Sequence, residues 1–398
     1  MKRHVSTGAD RLFSEDRYLE LVAGKHVGVV ANQTAVTEDY TFWPCLLEKA
    51  AGAVCEVIFS PEHGLWGAVQ DQVPCESEDA SGPPGAPVVS LYGDHPGSLK
   101  PSTEALRGLD ILFFDIQDIG SRYYTFIYTM AYCMEAAAEE SVPFAVLDRP
   151  NPLGGELVEG PPLKAGFESF VGRFAGLPVR HGLTAGELAN YFHRRHSVGE
   201  KPIVVPAAGW RRNLTAFDYQ APWVAPSPNM PTPETALVYP GMCLLEGTNL
   251  SEGRGTTRPF ETFGAPFLEA FTLSEELNAL GLPGVRFRPV RFIPTFDKYC
   301  GTLCSGAQLH VTDRHTFRPF ATGMAVIHVA HRLAGARFTW CSEAYEFVEN
   351  IPAIDLLFGS SEFRQMLDSG ADLDELTQTF SGREAAFAAE RREVFLYS

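Results

Sequence analysis

Four short apolar runs in the first 150 residues each stop at a cluster of polar, mostly ionisable residues. His26-Val27-Gly28-Val29-Val30-Ala31 gives way to Asn32-Gln33-Thr34, and residues 54–59 give way to Ser60-Pro61-Glu62-His63-Gly64. Residues 111–114 run into Asp115-Ile116-Gln117-Asp118, and 144–147 into Asp148-Arg149-Pro150-Asn151-Pro152. Unalternating Val/Ile/Phe runs of this length predict strands buried on both faces, as in a parallel sheet covered by helices. The carboxyl ends of such strands share one edge, and ligands bind in the crevice outside it. Polar clusters far apart in sequence are therefore expected to converge.

Helices are expected between these strands, at 41–50, 101–107, 123–140 and 184–193, the last opened by a Thr184/Glu187 capping box. A loop rich in Gly and Pro (78–87) leads to a strand at 88–92. This alternation up to about residue 205 gives βαβ units, hence an α/β fold with a Rossmann-like, doubly wound, mainly parallel sheet. Between 206 and 266 the prolines at 222, 226, 228, 231, 233 and 240 argue against a long regular element. Trp223, Asn229, Thr232 and Tyr239 make that stretch read as a functional loop. Helices and strands mix again at 271–280, 285–287, 309–311, 320–333 and 343–347, followed by acid-faced helices at 372–397. A chain of 398 residues exceeds one ordinary core. Two domains are expected: a Rossmann-like catalytic domain at 15–255 and a smaller α/β (α+β) auxiliary domain at 256–398 that completes the cleft.

The formal net charge of −17 offers no basic stripe to neutralise phosphates, which excludes nucleic acid as a partner. No stretch approaches the roughly 18 apolar residues of a membrane span. The basic start Met1-Lys2-Arg3-His4 has no apolar segment behind it, so a cytoplasmic protein is expected unless a leader has been removed. The eight cysteines form no CxxC pair and read as buried, reduced thiols, with a pairing or shared metal at Cys300 and Cys304 left open. GxGxxG, the Walker loop, GxSxG and HExxH are all missing, so no nucleotide cofactor is expected and no other cofactor is implied.

Glu62, at a strand end near Trp66, is placed to have its proton affinity raised by desolvation and to act as an acid; the alternative is a loop carboxylate bonded to a helix N-terminus. Asp115 and Gln117 share one side of their strand end, with Asp118 on the other. Arg122, with Tyr123 and Tyr124, opens the next helix and reads as an anion site or as a salt bridge to Asp115 or Asp118. Asp148, Arg149 and Asn151 sit on a proline-stiffened backbone, and Glu159 follows shortly after. Glu246 and Glu252 flank a small-residue run containing Asn249, and Arg254 closes it between two glycines. Carboxylates, small residues and a guanidinium on one loop suit the recognition of sugar hydroxyls. A metal-dependent hydrolase is the competing reading, with Glu62, His63, Asp115, Asp118 and Asp148 around Mg²⁺ or Zn²⁺.

At these motifs the chain resembles the DUF1343 family, which includes the NamZ exo-β-N-acetylmuramidases. The strings that carry the resemblance are residues 31–34, 60–64, 115–125, 147–152, 226–232 and 246–255, and it extends through Ala353-Ile354-Asp355 to the tail. It implies a Rossmann-like catalytic domain, a smaller C-terminal domain, and release of N-acetylmuramic acid from the non-reducing end of peptidoglycan fragments. Glycoside hydrolysis needs two carboxyl groups. Glu62 is the expected general acid and Glu252 the second carboxylate, with Glu246 and Asp115 in reserve. Arg122, Arg149 or Arg254 is expected to bind the lactyl carboxylate. Asn32, His63, Gln117, Asp118, Tyr123, Asp148, Asn151, Glu159, Asn229 and Asn249 complete the expected substrate contacts, with a muropeptide or muramyl glycoside as the partner. A non-catalytic muropeptide-binding protein is the third reading.

Overall fold

The computed structural model describes residues 2–75, 85–378 and 382–398, so most of the loop expected at 78–87, and part of the acid-faced tail, lie outside the described residues. The strands are β1 (His26–Ala31), β2 (Val54–Ser60), β3 (Val88–Ser90), β4 (Ile111–Asp115), β5 (Phe144–Leu147) and β6 (Ile203–Val205). They form one sheet in the order β3-β2-β1-β4-β5-β6, every neighbouring pair parallel. This is the Rossmann order, whose topological switch point lies between β1 and β4.

Alternation along the strands explains why the runs are apolar throughout. Val27, Val29, Ile111, Phe113, Ala145 and Leu147 pack into one cluster with Leu12, Trp43 and Leu47. Val30, Leu112, Phe114 and Val146 face the other way, onto helices α1 (Phe126–Glu139) and α2 (Ala185–His196). The capping box forms at α2: Thr184 Oγ1 accepts from Glu187 N at 3.3 Å, and Glu187 Oε2 accepts from Thr184 N at 3.1 Å. Helix α1 starts three residues later than the sequence predicts, at Phe126. Residues 116–125 form an ordered loop instead, in which Arg122 N donates to Val179 O at 2.7 Å.

The proline-punctuated segment does contain a regular element, helix α3 (Pro233–Met242). Pro233 stands in the first turn, where no N–H is needed, behind a Thr232 cap. Where α3 crosses α4 (Pro319–Ala334), the backbones touch: a Cβ on Gly241 would lie 1.8 Å from Pro319 O, and one on Gly323 2.1 Å from Gly241 O. A second, antiparallel sheet holds β7 (Thr262–Ala265), β8 (Val285–Phe292) and β9 (Cys304–Val311) in the order β8-β9-β7. Its Phe263, Phe287 and Leu309 belong to the same buried cluster as Val30 and Phe114, so one core runs through both sheets.

Residues 343–347 form neither helix nor strand. Tyr345 and Val348 exchange backbone hydrogen bonds of 2.9 and 3.0 Å across a tight turn, with Glu346 (φ 47°) and Phe347 (φ 68°) left-handed. The Phe347 ring packs on Tyr92 and Phe170, with centroids 5.7 and 6.4 Å apart, and that packing fixes the turn. Cys133 and Cys243 are buried thiols as expected, but Cys45 and Cys300 are exposed, and Cys300 and Cys304 form no disulfide.

Candidate active site

Glu62 is delivered by the end of β2. His63 (φ 72°) and Gly64 (φ 77°) turn the chain sharply, and Gly64 N donates to Pro61 O at 3.0 Å. The returning segment supplies Gln72 N to Glu62 Oε1 at 3.1 Å, while Thr125 Oγ1 from the loop before α1 donates to Oε2 at 2.7 Å. His63 Nδ1 donates to Val69 O at 2.9 Å. Trp66, the aromatic neighbour expected for Glu62, is 52% exposed and packs on Phe42 instead.

Glu62 and His63 line a cleft with Tyr123, Tyr124, Asn229 and Arg254. The empty space in the cleft, open solvent at its mouth included, measures about 470 Å³.

Arg254 is the cation of this cleft. Gly253 precedes it at φ 85°, where a Cβ would fall 2.1 Å from Thr262 O, so only glycine admits the turn. The guanidinium meets three carboxylates: Asp71 at 2.8 Å, Glu246 at 2.8 Å and Glu252 at 3.2 Å. Glu246 also accepts from Tyr345 Oη at 2.6 Å, and burial, only partly offset by Arg254, raises its proton affinity. Glu252 does not line the cleft. It lies behind Arg254, 3.0 Å from Lys298 Nζ, and although burial works the other way, Lys298 and Arg254 together hold its pKa below the ordinary carboxylate value. A carboxylate clamped between two cations away from the cleft is a support for Arg254, not a reactive group.

Glu346 and Tyr345 complete the wall from the far end of the chain, and the sequence patterns did not single out either one. Tyr92 Oη donates to Glu346 Oε2 at 3.1 Å. Burial first, then the neighbouring Glu62 charge, pushes the Glu346 carboxyl well above the ordinary carboxylate range. Asp71 and Thr125 were likewise missed as wall residues, whereas Tyr239 comes from the segment read as a functional loop. The one local signal for Glu346 is a glutamate set between two aromatics.

The other sheet-edge candidates hold the scaffold. Asp115 is fully buried between Arg149 (2.6 and 2.9 Å) and Trp43 Nε1 (2.7 Å), which excludes both from the cleft. Asp148 accepts from Thr184 Oγ1 and Gly186 N at 2.7 and 2.8 Å, seating the start of α2. Arg122 forms neither the expected anion site nor a salt bridge; its guanidinium donates to the carbonyls of Pro161, Leu177 and Leu357. Asn32 bonds Thr34 N and Pro226 O, Gln117 bonds Asp118 O and Pro150 O, and Asn151 bonds Leu153 N and Leu183 O. Asp118 accepts from Gly120 N at 2.7 Å, and burial lifts it to about 7. Glu159 accepts from Ala321 N, and Asn249 clasps Arg337 O and Thr339 N. The five residues of the metal reading are thus not gathered: Asp115 and Asp148 spend their oxygens on the fold.

The family model for the N-terminal part of the exo-β-N-acetylmuramidase NamZ matches residues 27–234, and that for its C-terminal part matches residues 237–397. The peptidoglycan β-N-acetylmuramidase NamZ of Bacillus subtilis (strain 168) is 42% identical over 398 residues, covering 100% of this chain and 92% of that relative. Two crystal structures of DUF1343 proteins from Bacteroides fragilis NCTC 9343 are similar in fold. BF0371 aligns at 32% identity with a TM-score of 0.87, covering 99% of each chain. BF0379 aligns at 28% identity with a TM-score of 0.75, again over 99% of each chain.

Proposed function

The chain belongs to the NamZ exo-β-N-acetylmuramidase family and is accordingly a glycosidase, and we propose that it releases N-acetylmuramic acid from the non-reducing end of peptidoglycan fragments at the cleft holding Glu62. The observation that carries the assignment of the site is the meeting of Glu62 with Arg254 in one buried cleft. Glu62 is a catalytic carboxyl, held in place by Gln72 N and Thr125 Oγ1. His63 and Asn229 bind sugar hydroxyls.

Arg254 is the one of the three expected arginines that reaches the cleft, and it binds the lactyl carboxylate. Asp71, its outermost partner at 26% side-chain exposure, is the carboxylate that the substrate replaces. The segment beyond residue 255 completes the cleft through Tyr345 and Glu346, which supports its role as an auxiliary domain. Buried free thiols at Cys133 and Cys243 support work in a reducing compartment, the cytoplasm.

The test is turnover of a chromogenic N-acetylmuramic acid glycoside. Wild type should cleave it, and Glu62→Gln should lose at least about a hundredfold in kcat/KM while still binding the sugar. The matching N-acetylglucosamine glycoside should be turned over poorly, because it leaves the guanidinium site without its anion. Wild-type rates in Glu62→Gln would remove Glu62 from the chemistry; equal rates on both sugars would remove Arg254 from recognition.

A further inference from the structure

We propose that Glu346 is the second catalytic carboxyl of this cleft, the group that gives a proton to the glycosidic oxygen while Glu62 acts at the sugar carbon. The inference rests on the muramidase reading and goes beyond it, because that reading names no partner for Glu62.

Company distinguishes Glu346 from every other carboxyl at the cleft. Asp71 and Glu246 each meet Arg254, and Glu62 accepts both a backbone N–H and a hydroxyl. Among the described residues, the only donor to Glu346 is the Tyr92 hydroxyl, and no cation pairs with it. A buried carboxyl with no cation beside it, in the field of Glu62, Glu246 and Asp71, keeps its proton; its proton affinity is raised accordingly. Glycoside hydrolysis pairs a carboxyl that holds its proton with a second carboxyl group across the scissile bond.

Backbone geometry points the same way. Glu346 is held left-handed at φ 47°, a conformation unfavourable for a side chain with a Cβ. Strain of this kind persists only where the surroundings enforce it, and it clusters at functional sites. Here the Tyr345–Val348 turn and the aromatic contacts of Phe347 enforce it, and the side chain ends on the cleft wall.

In the step itself, the Glu346 proton passes to the glycosidic oxygen as the C1–O bond breaks, and the bonding pair stays on that oxygen. Glu346 becomes a carboxylate. The positive charge developing at C1 faces the Glu62 carboxylate. Water supplies the new C1–O bond, and the proton it releases returns to Glu346, directly or through Glu62, restoring both groups.

The experiment compares two muramic acid glycosides in wild type, Glu346→Gln and Glu62→Gln. One leaving group is N-acetylglucosamine, which needs a proton; the other is 2,4-dinitrophenolate, which leaves without one. Glu346→Gln should lose about 10²- to 10⁴-fold in kcat/KM on the sugar leaving group and less than about tenfold on dinitrophenolate. Glu62→Gln should lose heavily on both. Equal losses on both leaving groups in Glu346→Gln, or no loss on either, would overturn the assignment. Glu346→Asp guards against a folding defect: with a shortened acid it should lose more on the sugar than on dinitrophenolate, and equal loss would again overturn it. If wild type cleaves neither glycoside, the muramidase reading fails and this inference with it. If wild type cleaves both and only the Glu346 pattern is wrong, the reading survives and the inference does not.

Discussion

Arg254 shows how one side chain can be both scaffold and receptor. Asp71 meets Nη1, Glu246 meets Nη2 and Glu252 lies nearest Nε, so on the proposed reading an incoming lactyl carboxylate displaces Asp71, the most exposed of the three. Asp71→Asn should weaken the competitor and lower KM for muramic acid glycosides several-fold, with kcat little changed; a higher KM would contradict the exchange. Asp115 gives the opposite case. Asp115→Asn leaves Arg149 buried without its counter-ion, and breaking such a pair costs about 3–5 kcal/mol, readable by denaturant unfolding, while the folded enzyme should keep its kcat. The sequence neighbourhoods of these two acids foretold neither partner. Asp115, at a strand end, reads as a candidate acid while Asp71 was not singled out; that each meets an arginine from a distant segment is decided by the fold. Glu62 was legible because a proline, a left-handed histidine and a glycine mark a sharp turn at a strand end.

The elements were most legible where local sequence and burial agree. The first five parallel strands are apolar because both of their faces are covered, and Thr184 with Glu187 announces α2 from four residues alone. Thr184→Ala should cost about 1 kcal/mol of stability for the lost cap, and more because Thr184 also seats Asp148; a thermal melt checks this. The turn at 345–348 was not legible, since its left-handed residues are imposed by Tyr92 and Phe170 from elsewhere in the chain. Helix α3 was hidden for a different reason: its prolines suggested irregularity, although one of them stands where a helix tolerates it. Gly323→Ala should push α3 and α4 apart and lower the melting temperature by several degrees, because the new Cβ has only backbone to displace.

At the scale of the molecule, buried acids set the response to pH. Asp118 and Glu159 are lifted to about 7 and Asp148 to about 6, in each case chiefly by burial. In the unfolded chain they titrate near their ordinary values, about 4. Between about pH 4 and 7 the folded state therefore holds more protons than the unfolded one, and stability falls as pH rises through that window. The melting temperature should be higher near pH 5.5 than near pH 8, and a rise toward pH 8 would show that these carboxyls are not buried as described. Glu252, held below its ordinary value, acts in the opposite sense and loses its contribution only in stronger acid.

The cleft takes Glu62 from near the beginning of the chain and Glu346 from near its end. A ribosome must thus deliver all of residues 63–344 after Glu62 before the last wall arrives. Until then a growing chain carries Glu62 without the wall that faces it, so the cleft stays unfinished until Tyr345 and Glu346 have been added.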